Sequence, residues 1–502
     1  MKNKRLLRSL IVVVSAVAAF LIINACLSYS DYNLYTGGKW QSSKTQLKKG
    51  VVGAWSMMLT KPGLKEGALN LNAWNGHQEL ILKQTVTTQK IEFSFQPLQV
   101  PFSLIIDKTD SLSTGIFFYP QGRQKMIFYT SDHSGRFRSQ IDIPLVTEVS
   151  DGLTEIYFSK DSVEIILDHV PQAKVPFALP SSIRPGFRGS SAGKDIYIDN
   201  IRITSAENKI VFSENFSSPF GIYKWSWVYL LLWLPLILYC MNREKLSSFM
   251  VFSPCAMTLV IAVWGYYHCR SSDHYVDDPS KINWHGIRST IETQPQVEKR
   301  LEEEYPIGQV AGKKKVVLFV GSSQTWGAGS SDTKATFASI VQDSLRCFFN
   351  DTNIVVINTG ISSITSDDMY KLYTQKWYAY NPVLTVVNAS NNDTDTLAFR
   401  KNMQAFASFD RDHGIKSLWI EEPNDGVKKP NVKHLIMRSV ASANDIACIE
   451  MQSHIDSRYD SGYLWWDWVH LTDYGHQVFA DRIFPIIVQK LEEDTSAFPS
   501  KH

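Results

Sequence analysis

The chain has 502 residues, more than a single hydrophobic core usually organises, so two or more domains are expected. Its 51 basic residues nearly balance 49 acidic ones, and a net charge of +2 gives no footing for nucleic-acid binding. Hydrophobic residues make up 44% of the chain, part of them concentrated in three charge-poor runs that point to a membrane instead.

The first run follows Lys2, Lys4, Arg5 and Arg8 and extends from Leu10 to Leu27 without a charge, close to the roughly 20 apolar residues that span a bilayer. Residues 1–30 are therefore read as a membrane anchor, with a cleaved signal peptide as the alternative. The second and third runs, Trp225 to Met241 and Met250 to Tyr267, flank a short polar stretch with Arg243, Glu244 and Lys245. They read as a transmembrane hairpin over residues 224–268. Trp225, Trp227, Trp264 and Tyr266 lie at the ends away from the loop, where interfacial aromatic residues gather. Positive residues mark the cytoplasmic side, which puts residues 31–220 and everything after Arg270 outside the cell membrane.

Between these runs, residues 31–220 show short strands separated by Gly, Pro, Asp and Ser. Ile91, Phe93 and Phe95 alternate with polar residues, the period of a half-buried strand. Further strands are expected at Phe102–Asp107, Gly115–Tyr119, Lys125–Thr130, Thr154–Ser159, Ser162–Asp168 and Asp195–Thr204. In the last of these, Ile196 and Ile198 have one parity and Ile201 and Ile203 the other, so a bulge is expected near Asp199-Asn200. Evenly spaced strands without a long amphipathic helix imply an all-β sandwich. The segment resembles the concanavalin-A-like jelly rolls, mainly through Asp195-Ile-Tyr-Ile-Asp-Asn-Ile-Arg-Ile203. That resemblance implies a glycan-binding role; Trp40, Trp55 and Trp74 could stack on sugar rings, with packing in the core the commoner fate of such residues.

Residues 270–312 are charged and without periodicity, and read as a linker. From 313 to 502 the pattern changes to strands alternating with helices. Val316–Val320, Ile354–Ile357, Val383–Val387, Leu418–Ile420 and Ile446–Ile449 are apolar runs of the kind buried in a parallel sheet. Phe337, Ile340, Val341 and Leu345 form one helical stripe, and Phe479, Ile483, Ile487 and Leu491 another, which carries Pro485 against the helical pattern. A doubly wound α/β/α unit is expected. Of six cysteines, Cys347 and Cys448 belong to this unit and read as small core residues rather than a disulfide. No zinc-type Cys-x-x-Cys spacing occurs, and no metal or organic cofactor is implied.

Ligands of such sheets bind beyond the carboxyl ends of the strands. Directly after the first strand stands Gly321-Ser322-Ser323-Gln324-Thr325-Trp326-Gly327. A serine at a strand-to-helix turn has the amide groups of the helix start nearby, suited to an oxyanion. A phosphate loop is excluded because no Gly-Lys-Ser/Thr follows. The second strand leads into Asn358-Thr-Gly360 and the third into Ser390-Asn-Asn392-Asp393. Trp466-Asp467-Trp468-Val469-His470 precedes the last helix.

Taken in order, these four segments resemble the blocks of the SGNH (GDSL-like) hydrolases, with a flavodoxin-like α/β/α fold. Ile282-Asn-Trp-His-Gly286-Ile-Arg288 also resembles a segment that precedes the nucleophile block in many members. The resemblance implies a triad of Ser323 as nucleophile, His470 as general base and Asp467 as its orienting acid. It further implies an oxyanion site made by the amides of Ser323 and Gly360 and the Asn392 side chain. The sequence departs from the family at Ser322, where Asp is common, and at Ser390, where Gly is usual. The expected function is a membrane-anchored serine esterase removing O-acyl groups from an acylated glycan or lipid. One alternative is an O-acyltransferase acting on surface polysaccharide with a partner exporter in the membrane; another is a non-catalytic glycan-binding scaffold.

Overall fold

The computed structural model describes residues 40–43, 63–65, 68–71, 79–82 and 84–215, the last span without 110, 121–122, 148, 150–151, 179 and 190–195. It also describes residues 292–493, without 426–430 and 467–468. The three apolar runs, Trp55, Trp74 and the Ile282–Arg288 segment lie outside the described residues. Among the described residues, no helix is long and apolar enough to cross a membrane.

Residues up to 215 form the strands β1 (Trp40–Ser43), β2 (Gly63–Lys65), β3 (Ala68–Asn70), β4 (Glu79–Leu82), β5 (Lys90–Gln96), β6 (Phe102–Lys108), β7 (Leu112–Phe118) and β8 (Lys125–Asp132). These are followed by β9 (Phe137–Pro144), β10 (Leu153–Phe158), β11 (Ser162–Leu167), β12 (Val170–Pro176), β13 (Gly186–Gly189), β14 (Tyr197–Thr204) and β15 (Ile210–Glu214). Two antiparallel sheets result, ordered β1-β4-β13-β6-β7-β8-β9 and β12-β11-β10-β5-β14-β3-β2, with β15 pairing β14. Their facing sides share one core: Phe93 and Phe95 of β5 meet Phe102, Phe118 and Phe187 of the opposite sheet. The expected bulge is present, the β14–β5 register shifting between Asp199 and Arg202, with Asn200 at φ +55°.

Strict alternation fails in β8 for a physical reason. Met126 and Phe128 enter the sandwich core, while Ile127 and Tyr129 on the other face pack with Phe117 and Phe137 against the C-terminal unit. A sheet buried on both sides is written as a continuous apolar run.

The C-terminal unit begins inside the stretch expected as a linker. Helix α1 (Gln294–Glu304) buries Val297 and Leu301 in this unit's core, and a short α2 (Ile307–Val310) follows. The parallel strands are β16 (Lys315–Gly321), β17 (Ile354–Asn358), β18 (Leu384–Ala389), β19 (Lys416–Glu421) and β20 (Ala447–Ile449), ordered β17-β16-β18-β19-β20. This is the doubly wound order 2-1-3-4-5, whose switch point lies between β16 and β18, neighbours from which the chain moves off in opposite directions. The helices between and after them are α3 (Ser323–Trp326), α4 (Phe337–Phe349), α5 (Ser366–Gln375), α6 (Thr396–Asp412), α7 (Val432–Ala443), α8 (Met451–Ser457) and α9 (Asp473–Glu492). Val317 and Phe319 of β16 face α4, α8 and α9, whereas Val316, Leu318 and Val320 face α1, α5, α6 and α7. Both expected helical stripes are buried, with Ile340 only partly so. Pro485 lies within α9, which continues through it although proline cannot donate the helical hydrogen bond. Cys448 is half-buried on β20, but Cys347 is exposed on α4 rather than in the core, and both thiols are free.

Candidate active site

The β16 strand delivers the chain to the switch point, and the turn there is tight. A Cβ at Gly321 would meet Thr325 Oγ1 at 2.0 Å and the Asn388 carbonyl at 2.7 Å, so only glycine fits. Ser322 remains extended at φ −91° and ψ −154°, and Ser323 opens α3. Gly327, at φ +99°, closes that helix after one turn. Thr325 Oγ1 donates to Asn388 Oδ1 at 2.9 Å, and Asn388 Nδ2 donates to the Ile420 carbonyl at 3.2 Å. This pins the turn to the two strands beside it.

His470 arrives from a different part of the chain. The Trp466 amide donates to the His470 carbonyl at 2.7 Å, and the Thr472 amide to the Leu464 carbonyl at 3.0 Å. These bonds close a small hairpin between Tyr463 and Thr472. Thr472 also caps α9, its hydroxyl accepting from the Gly475 amide at 3.0 Å, which fixes His470 just ahead of the helix. Its Nε2 lies 2.9 Å from Ser323 Oγ, hydrogen-bond reach for removing the serine proton. Ser323 is only 9% exposed and His470 is half-buried. Asp467 lies outside the described residues.

Gln324 braces the two sides of this pair. Its buried side-chain amide donates to the Pro423 carbonyl at 2.7 Å and to the Val469 carbonyl at 2.6 Å, so the residue after Ser323 holds the residue before His470.

Gly360 and Asn392 occupy the loops after β17 and β18. A Cβ on Gly360 would lie 2.2 Å from the Trp326 amide nitrogen, so this loop abuts α3 directly. The Gly360 amide donates to Asn358 Oδ1 at 3.0 Å, and Asn392 Nδ2 donates to the Ile364 carbonyl at 3.0 Å. Asp393 holds the start of α5, accepting from the Ser366 amide at 3.1 Å and the Ser366 hydroxyl at 2.7 Å. Two neighbouring asparagines serve other partners: Asn388 is fully buried in the strand brace described above, and Asn391 Oδ1 accepts from Asn424 Nδ2 at 2.8 Å.

Glu422, which no sequence motif marks, is fully buried beside the turn that carries Ser323. One carboxyl oxygen accepts the Ser322 hydroxyl, and the other accepts the Asn391 amide at 2.7 Å. Burial pushes its pKa up to about 7, against the hydrogen bonds from Ser322 and Asn391. Its position directly beyond the carboxyl end of β19 was the available signal. Lys433, from the start of α7, donates to the carbonyls of Asn391 at 3.0 Å and Asp393 at 2.8 Å, and burial lowers its pKa. Among the described residues, no group of three or more His, Cys, Asp or Glu side chains is arranged to hold a metal ion.

No protein-family model matches the chain, and no curated protein matches it. Among solved structures it is similar to an acetyl xylan esterase at 20% identity, covering 34% of this chain and 99% of that one with a TM-score of 0.31. A lipase/acylhydrolase from Enterococcus faecalis matches at 17% identity, covering 35% of this chain and 96% of that one, with a TM-score of 0.31. A two-domain esterase active on acetylated mannans matches at 20% identity and a TM-score of 0.33, covering 41% of this chain and 57% of that one.

Proposed function

We propose that the chain is a serine esterase of the SGNH type that removes O-acyl groups, such as acetyl, from a carbohydrate or lipid. The observation that carries this reading is the 2.9 Å contact between Ser323 Oγ and His470 Nε2 beyond the carboxyl end of β16. Ser323 attacks the ester carbonyl as His470 takes the hydroxyl proton, and His470 then returns that proton to the departing alcohol. Water, deprotonated in turn by His470, releases the acid and restores Ser323. Asp467 orients the imidazole and stabilises its charged form. The amides of Ser323 and Gly360 and the Asn392 side chain hold the oxyanion of each tetrahedral intermediate.

The apolar runs at 10–27, 225–241 and 250–267, with the basic residues around them, support a membrane-anchored enzyme whose two large units face outward. In this reading the sandwich is a jelly roll that presents an acylated glycan to the site.

Ser323→Ala and His470→Ala should each lower kcat for p-nitrophenyl acetate by roughly three orders of magnitude or more while thermal unfolding stays cooperative. Undiminished turnover by the folded Ser323→Ala protein would overturn the mechanism. Acyl transfer to an added glycan hydroxyl in preference to water would move the assignment to an O-acyltransferase.

A further inference from the structure

The nucleophile and the expected oxyanion side chain are carried on separate loops, after β16 and β18, and rate depends on their mutual placement. Ser322 immediately precedes Ser323, and Asn391 immediately precedes Asn392. Both of these preceding residues donate to the same side chain: the Ser322 hydroxyl to Glu422 Oε1 and the Asn391 amide to Glu422 Oε2. We infer that Glu422 is a positioning residue, a buried carboxylate that bridges the two loops and sets the nucleophile in register with the oxyanion donor. The inference rests on the esterase reading above and deepens it.

The surroundings favour a bridge over a passive core group. Glu422 has no exposed surface, and burying a carboxyl group is costly unless its oxygens are bonded. A hydrophobic residue here would leave the Asn391 amide and the Ser322 hydroxyl without their acceptor. The rest of the site is tied to the same residue. The Glu422 amide donates to Ser390 Oγ at 3.3 Å, and its carbonyl lies 3.1 Å from His434 Nε2. The next residue, Pro423, offers its carbonyl to Gln324. Where the family pattern has an acidic residue at position 322, this chain has a serine whose hydroxyl is joined to an acidic residue just beyond β19.

The bridge is strongest when both oxygens accept, which requires the ionised carboxylate. Burial opposes ionisation and holds the group's midpoint up to about 7. The groups facing it are the Ser322 hydroxyl, the Asn391 amide and the Lys433 ammonium, which favour the charge, and Asp393, which opposes it. His434, packed from α7, has its own pKa lowered by burial, and Glu421, the last residue of β19, is joined to Arg438. The sign follows: the doubly accepting form is complete above the midpoint and is lost as pH falls through it.

The test uses the full chain and p-nitrophenyl acetate, with Ser323→Ala as the blank. Glu422→Gln keeps the shape and one carbonyl oxygen, and mimics the uncharged carboxyl. Its kcat should fall several-fold at about pH 8 with KM unchanged, and the deficit should shrink towards parity near pH 5, where the wild-type carboxyl is also neutral. Glu422→Ala should lose about tenfold or more at both pH values, because neither loop is then held. Wild-type kcat in Glu422→Gln at pH 8, or an equal deficit at every pH, would overturn the bridge while leaving the esterase reading intact. Absence of Ser323-dependent turnover in the wild-type protein would overturn both.

Discussion

Ser390 stands at φ +145°, a backbone conformation that residues with a Cβ rarely adopt, and it is 1% exposed. In the sequence blocks that this segment resembles the position is usually glycine, and the serine here carries a conformational cost. The one gain the serine offers is its hydroxyl, which accepts from the Glu422 amide at 3.3 Å. Two substitutions separate these effects. Ser390→Ala removes the hydroxyl and keeps the Cβ, whereas Ser390→Gly removes both. The glycine variant should be the more stable of the two by about 1–3 kcal/mol, the usual cost of such a backbone conformation. Urea denaturation with equal m-values would measure the difference. Equal midpoints would show that the surrounding loop holds no strain at this residue.

At the scale of elements, the site depends on how closely the loop after β17 approaches α3. Asn358 joins them: its Nδ2 donates to the Thr325 carbonyl at 2.6 Å while its Oδ1 accepts the Gly360 amide. Gly360→Ala would place a methyl group against the Trp326 amide, and neither partner is a side chain that can swing away. The loop must back off, so the variant should lose about 2 kcal/mol of stability and most of the ester turnover proposed above, read by thermal unfolding and by kcat. A stable, fully active Gly360→Ala protein would argue against this loop's place in catalysis.

Elements of this kind were legible in the sequence where one physical cause acted alone. The run Val316–Val320, buried on both faces, and the alternating Ile91, Phe93 and Phe95, buried on one, were readable as strands. Others were not. Strand β12, Val170–Pro176, lies at a sheet edge and contains two prolines, which edges tolerate and sequence patterns penalise. Strand β13 is only Gly186–Gly189, and its first glycine exists because a Cβ there would meet the Leu80 carbonyl at 2.2 Å. Ser323 and His470 could be singled out because each lies in a short local segment that resembles a block of a known family. Glu422 could not be paired with Ser322, because the partners are 100 residues apart and only the sheet order joins them.

On the scale of the whole molecule, the sandwich and the α/β unit meet at the segment that leads to His470. Tyr463 is buried at 3% exposure among Phe117, Tyr129 and Phe137, with its hydroxyl joined to Ser103 and the Arg188 guanidinium 4.3 Å above its ring. Its amide donates to the Gly135 carbonyl at 2.9 Å, and its own carbonyl accepts the Thr472 hydroxyl. One residue thus anchors the outer face of the sandwich and one leg of the histidine hairpin. Around it the contacts are weaker: Asp460 pairs with Lys125 at 2.8 Å and with Arg123, whose side chain is 46% exposed. Energetics should follow burial rather than charge. Tyr463→Ala should cost about 3–5 kcal/mol, as for other buried aromatic residues, and should lower kcat because the hairpin loses its wall. Tyr463→Phe, which removes the hydroxyl joined to Ser103, should cost about 1 kcal/mol. Arg123→Ala should fall within about 1 kcal/mol of the wild-type protein and keep its rate. Denaturation and turnover measured on the same three variants separate the possibilities. If Tyr463→Ala loses stability but keeps full kcat, the sandwich is a neighbour of the active site rather than a support for it.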